Sequence, residues 1–296
     1  MKIMIAGGSG FIGSALSEAL SSDFDLTLLS RSKDTSLGCY KKRLTWQELN
    51  AQNISDYAVI INLCGYNIAA GRWTKQTKAK IIQSRIEPTL KLVKLIGNNN
   101  IWLINASAIG FYPFSSGRQS EGNYIKNDRK AFSFCQKVTH QWESIVNESQ
   151  QLNSTILRFG VVIGQGGVLQ KLLPSAKVGL GLKIGTGNQH ISWIGIDDLC
   201  QAVKFIIDHK LKEPVFNMTA PVFCTQKELI DTICSVLKRP RIFKLPAVMV
   251  KLLFGQMGEE LLLGQHCVVP ENLIQKGFQF KHRTIQSCLN DVLGSR

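Results

Sequence analysis

The sequence of 296 residues has no apolar run of the roughly 18 residues that a membrane-spanning helix requires. Its first residues indicate a short strand followed by glycines, whereas a secretory signal peptide has a longer apolar segment. Internal repeats and low-complexity stretches are also missing, and the 44% hydrophobic and 19% charged residues are typical of a globular chain. We therefore expect a cytoplasmic protein that has no membrane partner.

Paired cysteines and histidine clusters are missing as well. The eight cysteines include no Cys-x-x-Cys pair, and several lie in apolar patterns, as buried thiols in a reducing compartment do. The five histidines lack the spacing of metal ligands. We therefore predict no metal site.

Acidic residues are few. The 21 Asp and Glu residues are outnumbered by 35 Lys and Arg residues, which gives a formal net charge of +14. No basic arm or long block carries this excess, and its densest cluster is only Lys41-Lys42-Arg43. Spread charge is most often a solvated surface that helps to attract phosphorylated ligands, so we expect no nucleic-acid partner.

A glycine motif near the N-terminus is the most informative feature that is present. A short apolar run precedes Gly-x-x-Gly-x-x-Gly, and a helical pattern follows it. In such a unit Gly7 allows a tight turn, Gly10 lets the backbone approach a pyrophosphate, and Gly13 lets helix and strand pack closely. The helix N-terminus presents free N–H groups to the anion. The predicted dinucleotide-binding residues here are Gly7, Ser9, Gly10, Phe11, Ile12 and Gly13.

The next predicted strand, at 25–31, bears on the choice of cofactor. A site that prefers NAD usually ends this strand with Asp or Glu, whereas this strand ends with Ser30-Arg31. A guanidinium pairs with a 2′-phosphate in a forked geometry, so Arg31 favours NADP(H). The alternative is that Arg31 is a solvated loop residue and that Asp34 takes the role of the carboxylate.

Strand and helix patterns then alternate. Apolar runs at 58–65, 101–107 and 154–160 are separated by helical patterns at 75–96 and 130–150. This order predicts an α/β fold with a Rossmann-like doubly wound parallel sheet and its ligand at the carboxyl ends of the strands.

The remainder of the chain is less regular and predicts a smaller C-terminal lobe on the substrate side. Asp197 and Asp198 are predicted to cap the helix that follows them. The predicted units are an NADP(H)-binding domain at 1–165, to which elements near 192–222 return, and a lobe at 166–296 that includes a module at about 246–294.

Five longer motifs occur in order along the chain: Gly-Gly-Ser-Gly-Phe-Ile-Gly (7–13), Asn-Leu-Cys-Gly (62–65), Ala-Ser-Ala-Ile-Gly-Phe-Tyr (106–112), Leu-Arg-Phe-Gly-Val-Val-Ile-Gly (157–164) and Ser-Trp-Ile-Gly-Ile-Asp-Asp (192–198). With them the sequence resembles the extended short-chain dehydrogenase/reductase superfamily. It is most similar to the subgroup called epimerase family proteins. Residues from about 246 resemble a C-terminal module of unknown function that is attached to this subgroup.

The resemblance implies further cofactor contacts. Ser30 and Arg31 would hold the 2′-phosphate, Leu63, Cys64 and Gly65 would follow the adenosine and pyrophosphate, Arg85 would lie near the phosphates, and Val162 would lie beside the nicotinamide. The chain departs from the subgroup at Tyr66, where Glu is frequent, and at Gly195, where His is frequent. These departures affect substrate contacts inferred from the family.

The proton-relay pair of the superfamily is missing. Redox members use a Ser after the fourth strand and a Tyr with a Lys four residues later. The Lys lowers the pKa of the Tyr, so that the Tyr can exchange a proton near neutral pH. None of the five tyrosines has Lys at that spacing, and the corresponding helix has Phe134 and Val138 instead. Ser107 is at the serine position, and Tyr112 is the other candidate catalytic hydroxyl, although Ser107 could equally satisfy loop amides.

Three hypotheses for the function follow. The first is an NADP(H)-dependent oxidoreductase with another proton donor, for which Tyr112, Lys137 and water are candidates. The second is an NADP(H)-binding sensor or scaffold without catalysis, and the third is a nucleoside-diphosphate-sugar epimerase, which the missing Tyr disfavours. The substrate would be a small carbonyl, hydroxyl or sugar-nucleotide-like compound, and the chain would be a monomer or homodimer.

Overall fold

The structure is a computed structural model that describes residues 1–33, 36–124, 128–240 and 243–294. Its strands are β1 (Lys2–Ala6), β2 (Asp25–Ser30), β3 (Lys42–Thr45), β4 (Val59–Asn62), β5 (Trp102–Ala108), β6 (Ser154–Phe159), β7 (Val161–Ile163), β8 (Leu182–Ile184), β9 (His190–Ile191), β10 (Trp193–Gly195), β11 (Val215–Met218), β12 (Cys224–Thr225) and β13 (Phe243–Leu245).

Its helices are α1 (Phe11–Leu20), α2 (Ala51–Ile54), α3 (Lys75–Ile96), α4 (Phe134–Asn147), α5 (Gly167–Lys177), α6 (Ile196–Asp208), α7 (Gln226–Val236), α8 (Ala247–Phe254), α9 (Glu271–Gln275) and α10 (Ile285–Gly294). Short 3-10 turns cover Ile109–Phe111 and Arg129–Ala131, and a π-helical segment covers Gly258–Leu263.

Seven parallel strands of the described chain form one sheet in the order β11-β6-β5-β4-β1-β2-β3. β1 lies in the middle, with Ile3 opposite Leu26 of β2 on one side and opposite Val59 of β4 on the other. The chain therefore winds outward in both directions from β1, and a crevice opens where the order reverses, at the carboxyl ends of β1 and β4. The prediction of a doubly wound parallel sheet is confirmed.

Alternate residues of β1 face two different helical layers. Ile3 and Ile5 pack with α1 and α6, whereas Met4 and Ala6 pack with residues of α3 and α4. These side chains have no exposed surface, and burying each large one stabilises the fold by about 1.5–3 kcal/mol. A sheet covered on both faces has strands that are apolar throughout, which is the pattern that the sequence shows.

One strand and the start of one helix differ from the sequence-based expectation. β3 was not predicted, because this edge strand pairs with β2 alone and begins with two cations, Lys42 and Arg43. The helix predicted at 130–150 begins only at Phe134, because Ser133 caps it: the Ser133 hydroxyl accepts from the Gln136 amide and the Gln136 side chain accepts from the Ser133 amide.

The C-terminal residues pack against the same sheet. α9 contacts β11, and Leu273 and Phe278 belong to the core that β1 and α6 form. β13 pairs with β8, so residues near 243 are joined to those near 182. The division into units at residue 165 remains a prediction.

The predicted capping role of the two aspartates is wrong. Gly195 is the N-cap of α6, and Asp197 and Asp198 lie inside its first turn. The carboxylate of Asp198 accepts hydrogen bonds from the backbone amides of Lys281 (2.7 Å) and His282 (2.9 Å). Asp198 therefore ties the C-terminal segment to the start of α6.

The cysteines and helices add two findings to the analysis of composition. None of the eight cysteines forms a disulfide; six are buried, Cys64 is half-buried, and Cys39 is exposed. None of the described helices is long and apolar enough to cross a membrane.

Candidate functional site

The three glycines of the turn between β1 and α1 lie in different environments, so a side chain would have a different effect at each. Gly7 has φ +76°, and a Cβ atom there would lie 3.0 Å from the backbone of Leu63. A Cβ atom at Gly13 would lie only 2.5 Å from the Cα atom of Gly8. At Gly10, by contrast, a Cβ atom would meet only the carbonyl oxygen of Gly7, at 3.4 Å. The fold therefore requires Gly7 and Gly13, whereas Gly10 leaves room for a ligand to approach the backbone.

Within the described part of the chain, the N-terminus of α1 has no capping side chain. Gly10 is the N-cap residue and offers no side-chain acceptor to the first-turn amides, and the first turn has no acidic residue. Unpaired N–H groups and the positive end of the helix dipole together form an anion site. This end of α1 therefore fits a pyrophosphate.

Tyr40 supports the glycine turn, and the sequence analysis missed it. Its hydroxyl lies 3.1 Å from the carbonyl oxygens of both Gly8 and Gly13, and its ring is buried. Burial raises the pKa of Tyr40 well above its ordinary value, so its proton stays in place for these contacts. No local pattern marks this residue, because it lies in the loop before β3 and reaches the turn only through the fold.

Phe11 joins the glycine turn to the loop after β7. Its ring atoms lie within 3.0 Å of the positions that a Cβ atom would take at Gly164, Gly166 and Gly167. Ile12 packs against the core around β1, as does Val162 on β7. Phe11, Ile12 and Val162 therefore bring the predicted pyrophosphate and nicotinamide regions together.

The end of β2 presents a cation. Arg31 is exposed, while the buried hydroxyl of Ser30 donates to the carbonyl oxygen of Ser32 at 2.7 Å. The nearby carboxylate of Glu48 pairs with Lys33 at 2.8 Å and accepts from Thr45, and these contacts lower the pKa of Glu48 to about 2. Glu48 is thus already engaged. Asp34, the alternative carboxylate, lies outside the described residues.

The loop after β4 completes the same crevice. The backbone of Leu63 lies against Gly7, and the Cys64 amide donates to the Asn62 side chain at 3.2 Å. Burial raises the pKa of the Cys64 thiol to about 12, against an opposing effect of Arg31. This thiol is therefore protonated at neutral pH.

Arg85 lies against this loop from α3. A Cβ atom at Gly65 would lie 3.1 Å from its guanidinium carbon, and the guanidinium donates to the carbonyl oxygens of Tyr66 and Ile81. Burial lowers the pKa of Arg85 to about 10, so the group stays charged at neutral pH. Predicted cofactor residues from β1, β2, β4 and α3 thus lie around one crevice, although their contacts with a cofactor remain predictions.

The two candidate catalytic hydroxyls lie in a buried polar network. Ser107 donates to Glu143 (2.6 Å), which accepts two further hydrogen bonds from Arg158 (2.9 and 2.7 Å). Arg158 also donates to the Tyr112 hydroxyl (2.9 Å), and Tyr112 donates to Asn217 (2.8 Å). Each of the five residues is at most 5% exposed. The network joins β5, β6, α4 and β11. Sequence reasoning found only Ser107 and Tyr112 and missed Glu143, Arg158 and Asn217.

This geometry argues against direct proton transfer from Tyr112. Its side chain is 1% exposed, and burial raises the pKa of Tyr112 to about 12 although Arg158 opposes the shift. Burial would lower the pKa of Arg158, but hydrogen bonds to Glu143 and its charge more than offset this, and the pKa is raised. The guanidinium also stacks 3.4 Å above the ring centre of Phe111. The Tyr112 hydroxyl therefore accepts a hydrogen bond from Arg158, which stays charged at neutral pH.

The two residues that replace the proton-relay pair are packed inside. Phe134 and Val138 are buried with Ile81, and Trp73 covers Phe134 at a ring distance of 4.7 Å. Lys137, another candidate proton donor, is exposed on α4. This part of α4 therefore has apolar packing where the superfamily has its relay.

Glu260 caps α4 from the C-terminal segment, and sequence reasoning missed this role. Its two carboxylate oxygens accept hydrogen bonds from the backbone amides of Phe134 and Cys135, each at 2.9 Å. The side-chain amide of Gln256 also donates to this carboxylate, at 2.7 Å. A cavity of about 790 Å³ lies beside this contact. It is lined by Phe114, Ser133, Lys251, Gln256, Glu259, Glu260, Leu263, Gly264 and Gln265.

One cluster in the described chain has side chains that could hold a metal ion, namely Asp197, His282 and Asp291. The Lys281 ammonium already lies among them, 3.2 Å from Asp197 and 2.6 Å from Asp291. The Lys281 ammonium therefore already pairs with both carboxylates and offsets part of their charge.

Comparisons with known proteins identify the family of the chain. The model of the NAD dependent epimerase/dehydratase family matches residues 3–219, and a domain of unknown function, DUF1731, matches residues 245–292. The chain is 35% identical to an "Epimerase family protein" of Mycobacterium bovis over 298 aligned residues, which cover 97% of this chain and 96% of that protein.

Solved structures show the same likeness. The human epimerase family protein SDR39U1 (isoform 2), crystallised with NADPH, superposes with a TM-score of 0.86 at 26% identity, and all of both chains is covered. UDP-glucuronic acid 4-epimerase from Bacillus cereus, in complex with UDP-glucuronic acid and NAD, has a TM-score of 0.76 at 15% identity over 99% of this chain and 98% of that one. The second match shows the fold alone. The chain belongs to the NAD dependent epimerase/dehydratase family, and the predicted resemblance is confirmed.

Proposed function

We propose that this member of the family is an NADP(H)-dependent oxidoreductase that acts on a small carbonyl, hydroxyl or sugar-nucleotide-like compound. The observation that carries the proposal is the exposed Arg31 at the end of β2, beside the N-terminus of α1, which no described side chain caps. A guanidinium suits a 2′-phosphate, and the helix end suits the pyrophosphate. The human relative with NADPH supports this choice, whereas the bacterial epimerase holds NAD.

The cavity beside Glu260 is our candidate for the substrate site. Its volume of about 790 Å³ is within the range of small-molecule sites, and its lining includes Ser133, Gln256 and Gln265 as hydrogen-bonding groups. It adjoins the N-terminus of α4, which carries Phe134 where the superfamily has its Tyr. Bound NADPH would supply the hydride, and the protein would orient the acceptor.

Ser107 and Tyr112 remain proposed contributors to turnover. Both hydroxyls belong to the network around Arg158. They would therefore affect a substrate by orienting the Arg158 charge, or would contact it directly only after the network rearranges. We expect Ser107→Ala and Tyr112→Phe to lower turnover without weakening NADPH binding.

A second candidate function is an NADP(H)-binding sensor or scaffold. The observation that favours it is the apolar packing of Phe134 and Val138 together with the hydrogen bonds that engage both candidate hydroxyls. The third hypothesis, sugar-nucleotide epimerisation, also needs a Tyr-type base, and we expect it to be very slow because such general acid–base help is worth about 10²- to 10⁴-fold.

Hydride transfer from deuterium-labelled NADPH distinguishes these functions. The protein is incubated with a panel of carbonyl compounds and nucleotide sugars, and deuterium in the products is measured by mass spectrometry. Label in one carbonyl product, reduced in Ser107→Ala, supports the oxidoreductase. Tight NADPH binding without label in any compound favours the sensor. Nucleotide sugars are also incubated with the protein and oxidised cofactor, and the epimers are separated by chromatography; rapid epimerisation there would overturn both functions.

A further inference from the structure

Helix α8 exposes large aliphatic side chains. Val248 is 75% exposed, Leu252 67%, Leu253 48% and Met249 42%. At about 100° per residue, positions 248, 249, 252 and 253 lie within one side of the helix. We call these four residues the outer face of α8.

The opposite side of α8 is apolar too. Val250 is fully buried, and Ala247 and Phe254 are half-buried beside it. A helix at the surface of a protein normally alternates an apolar and a polar face, whereas one that is apolar all round lies in a core or in lipid. Water alone is therefore a poor environment for the outer face, and the arrangement predicts an apolar occupant.

The charged residues near α8 indicate which kind of partner could cover its outer face. The described residues of 237–258 include four Lys and Arg but no Asp or Glu, and residues 165–196 contain three Lys and again no acid. The pairing of β13 with β8 joins these segments and sets Lys244 opposite Lys183. Lys251 lies on α8 next to Leu252 of the outer face, and it forms an ion pair with Glu259 at 2.5 Å.

We propose that the outer face of α8 and its basic surroundings form a docking surface for a membrane that carries anionic lipids. Aliphatic side chains enter the boundary between headgroups and acyl chains, while Lys and Arg contact anionic headgroups. A second copy of this chain fits less well, because a symmetric contact would bring two basic surfaces together. The proposal replaces the sequence-based expectation of no membrane partner, which rested on the missing membrane-spanning segment, since a docking helix lies in the plane of the membrane surface.

Co-sedimentation of the full chain with vesicles tests the proposal. We expect binding to vesicles that contain phosphatidylglycerol and at least tenfold weaker binding to phosphatidylcholine alone, with the difference reduced by added salt. Val248→Ser/Leu252→Ser should weaken binding about a hundredfold, at about tenfold for each side chain. Lys244→Glu should weaken it about tenfold, since the charge is reversed.

Matched controls separate this effect from a general one. Leu90 on α3 is 50% exposed and Lys42 on β3 is exposed, so Leu90→Ser and Lys42→Glu make the same changes elsewhere. Both should bind vesicles as the unmodified protein does, and all variants should keep the same thermal melting. The proposal is overturned if anionic vesicles do not bind the chain, or if the controls lose binding as much as the α8 variants. It is also overturned if sedimentation equilibrium shows a dimer that the double variant dissociates while vesicles bind neither form.

Discussion

The carboxyl ends of β1 and β2 and those of β5 and β6 lie along one edge of the same sheet, but their polar groups are arranged differently. At β1 and β2 no described side chain caps the amides of α1, and Arg31 is exposed. At β5 and β6 the hydroxyl of Ser107 and the charge of Arg158 are buried against Glu143. The first region keeps its donors available for a ligand, whereas the second satisfies its polar groups internally.

This contrast shows how binding and catalysis can separate within one fold. Around the glycine turn, the tight backbone and the N-terminus of α1 fit a dinucleotide. The position of the relay, by contrast, is filled by Phe134 and Val138 and stabilised by Glu260. Four predictions test the contrast, in order of decreasing expected effect.

Breaking the internal ion pair should have the largest effect. Arg158→Met leaves the buried carboxylate of Glu143 without its partner, and we expect the free energy of unfolding to fall by about 3–5 kcal/mol. Urea denaturation measures this loss. The double variant Arg158→Met/Glu143→Leu should regain part of the stability, because no unpaired charge remains buried. A single variant within about 0.5 kcal/mol of the unmodified protein would contradict the importance of the pair.

Blocking the glycine turn should remove cofactor binding. A ligand at a hundred times its Kd stabilises the folded state by about 2.7 kcal/mol, and Gly10→Val should abolish this gain because the side chain occupies the approach to the backbone. Thermal melting with and without NADPH measures it. Gly10→Val should fold, since a Cβ atom there meets one oxygen at 3.4 Å, whereas Gly13→Val should not, since its Cβ atom would lie 2.5 Å from Gly8. An unchanged NADPH response in Gly10→Val would place the cofactor elsewhere.

Removing the exposed cation should change cofactor preference. The loss of a forked charged contact costs about 1.5–3 kcal/mol, so Arg31→Ala should weaken NADPH roughly ten- to hundredfold and leave NADH nearly unchanged. Titration calorimetry with both cofactors measures the two Kd values. Lys33→Ala is the matched control, because Lys33 already pairs with Glu48. Equal Kd values for NADPH and NADH in the unmodified protein would refute the preference.

The smallest effect is expected from a histidine near the internally satisfied region. His266 packs 5.0 Å from Phe114, and among the described residues its buried Nδ1 has no partner. Burial lowers the pKa of His266 to about 4, so the folded state disfavours the proton that the unfolded state binds below about 6.5. Its contribution to stability is complete above about pH 6.5 and is lost as the pH falls toward 4.

At pH 5 this loss should be about 1–2 kcal/mol relative to pH 7. The free energies of unfolding at both values, for the unmodified protein and for His266→Gln, measure it. The variant should lose less stability on acidification. Identical pH dependence in the two proteins would show that His266 does not titrate as its burial predicts.

Local patterns were sufficient for the regular parts of the fold. Buried parallel strands are continuously apolar, and α3 was predicted with its observed bounds because its helical pattern is long. β3 was missed because an edge strand does not need apolar residues on both faces, and the short Lys42–Thr45 segment carries charge. The glycine turn was predicted because its residues are adjacent along the chain.

The sequence by itself determined the family, the doubly wound sheet and the glycine turn, since each of these depends on residues close together in the chain or in a fixed order. Only the tertiary structure decided that Tyr40 supports the turn, that Glu260 caps α4, and that Tyr112 is bound to Arg158. These contacts join residues 27 to 126 positions apart, so no local periodicity encodes them. The same reason explains why the aspartate cap was predicted wrongly: the partners of Asp198 lie 83 and 84 residues away.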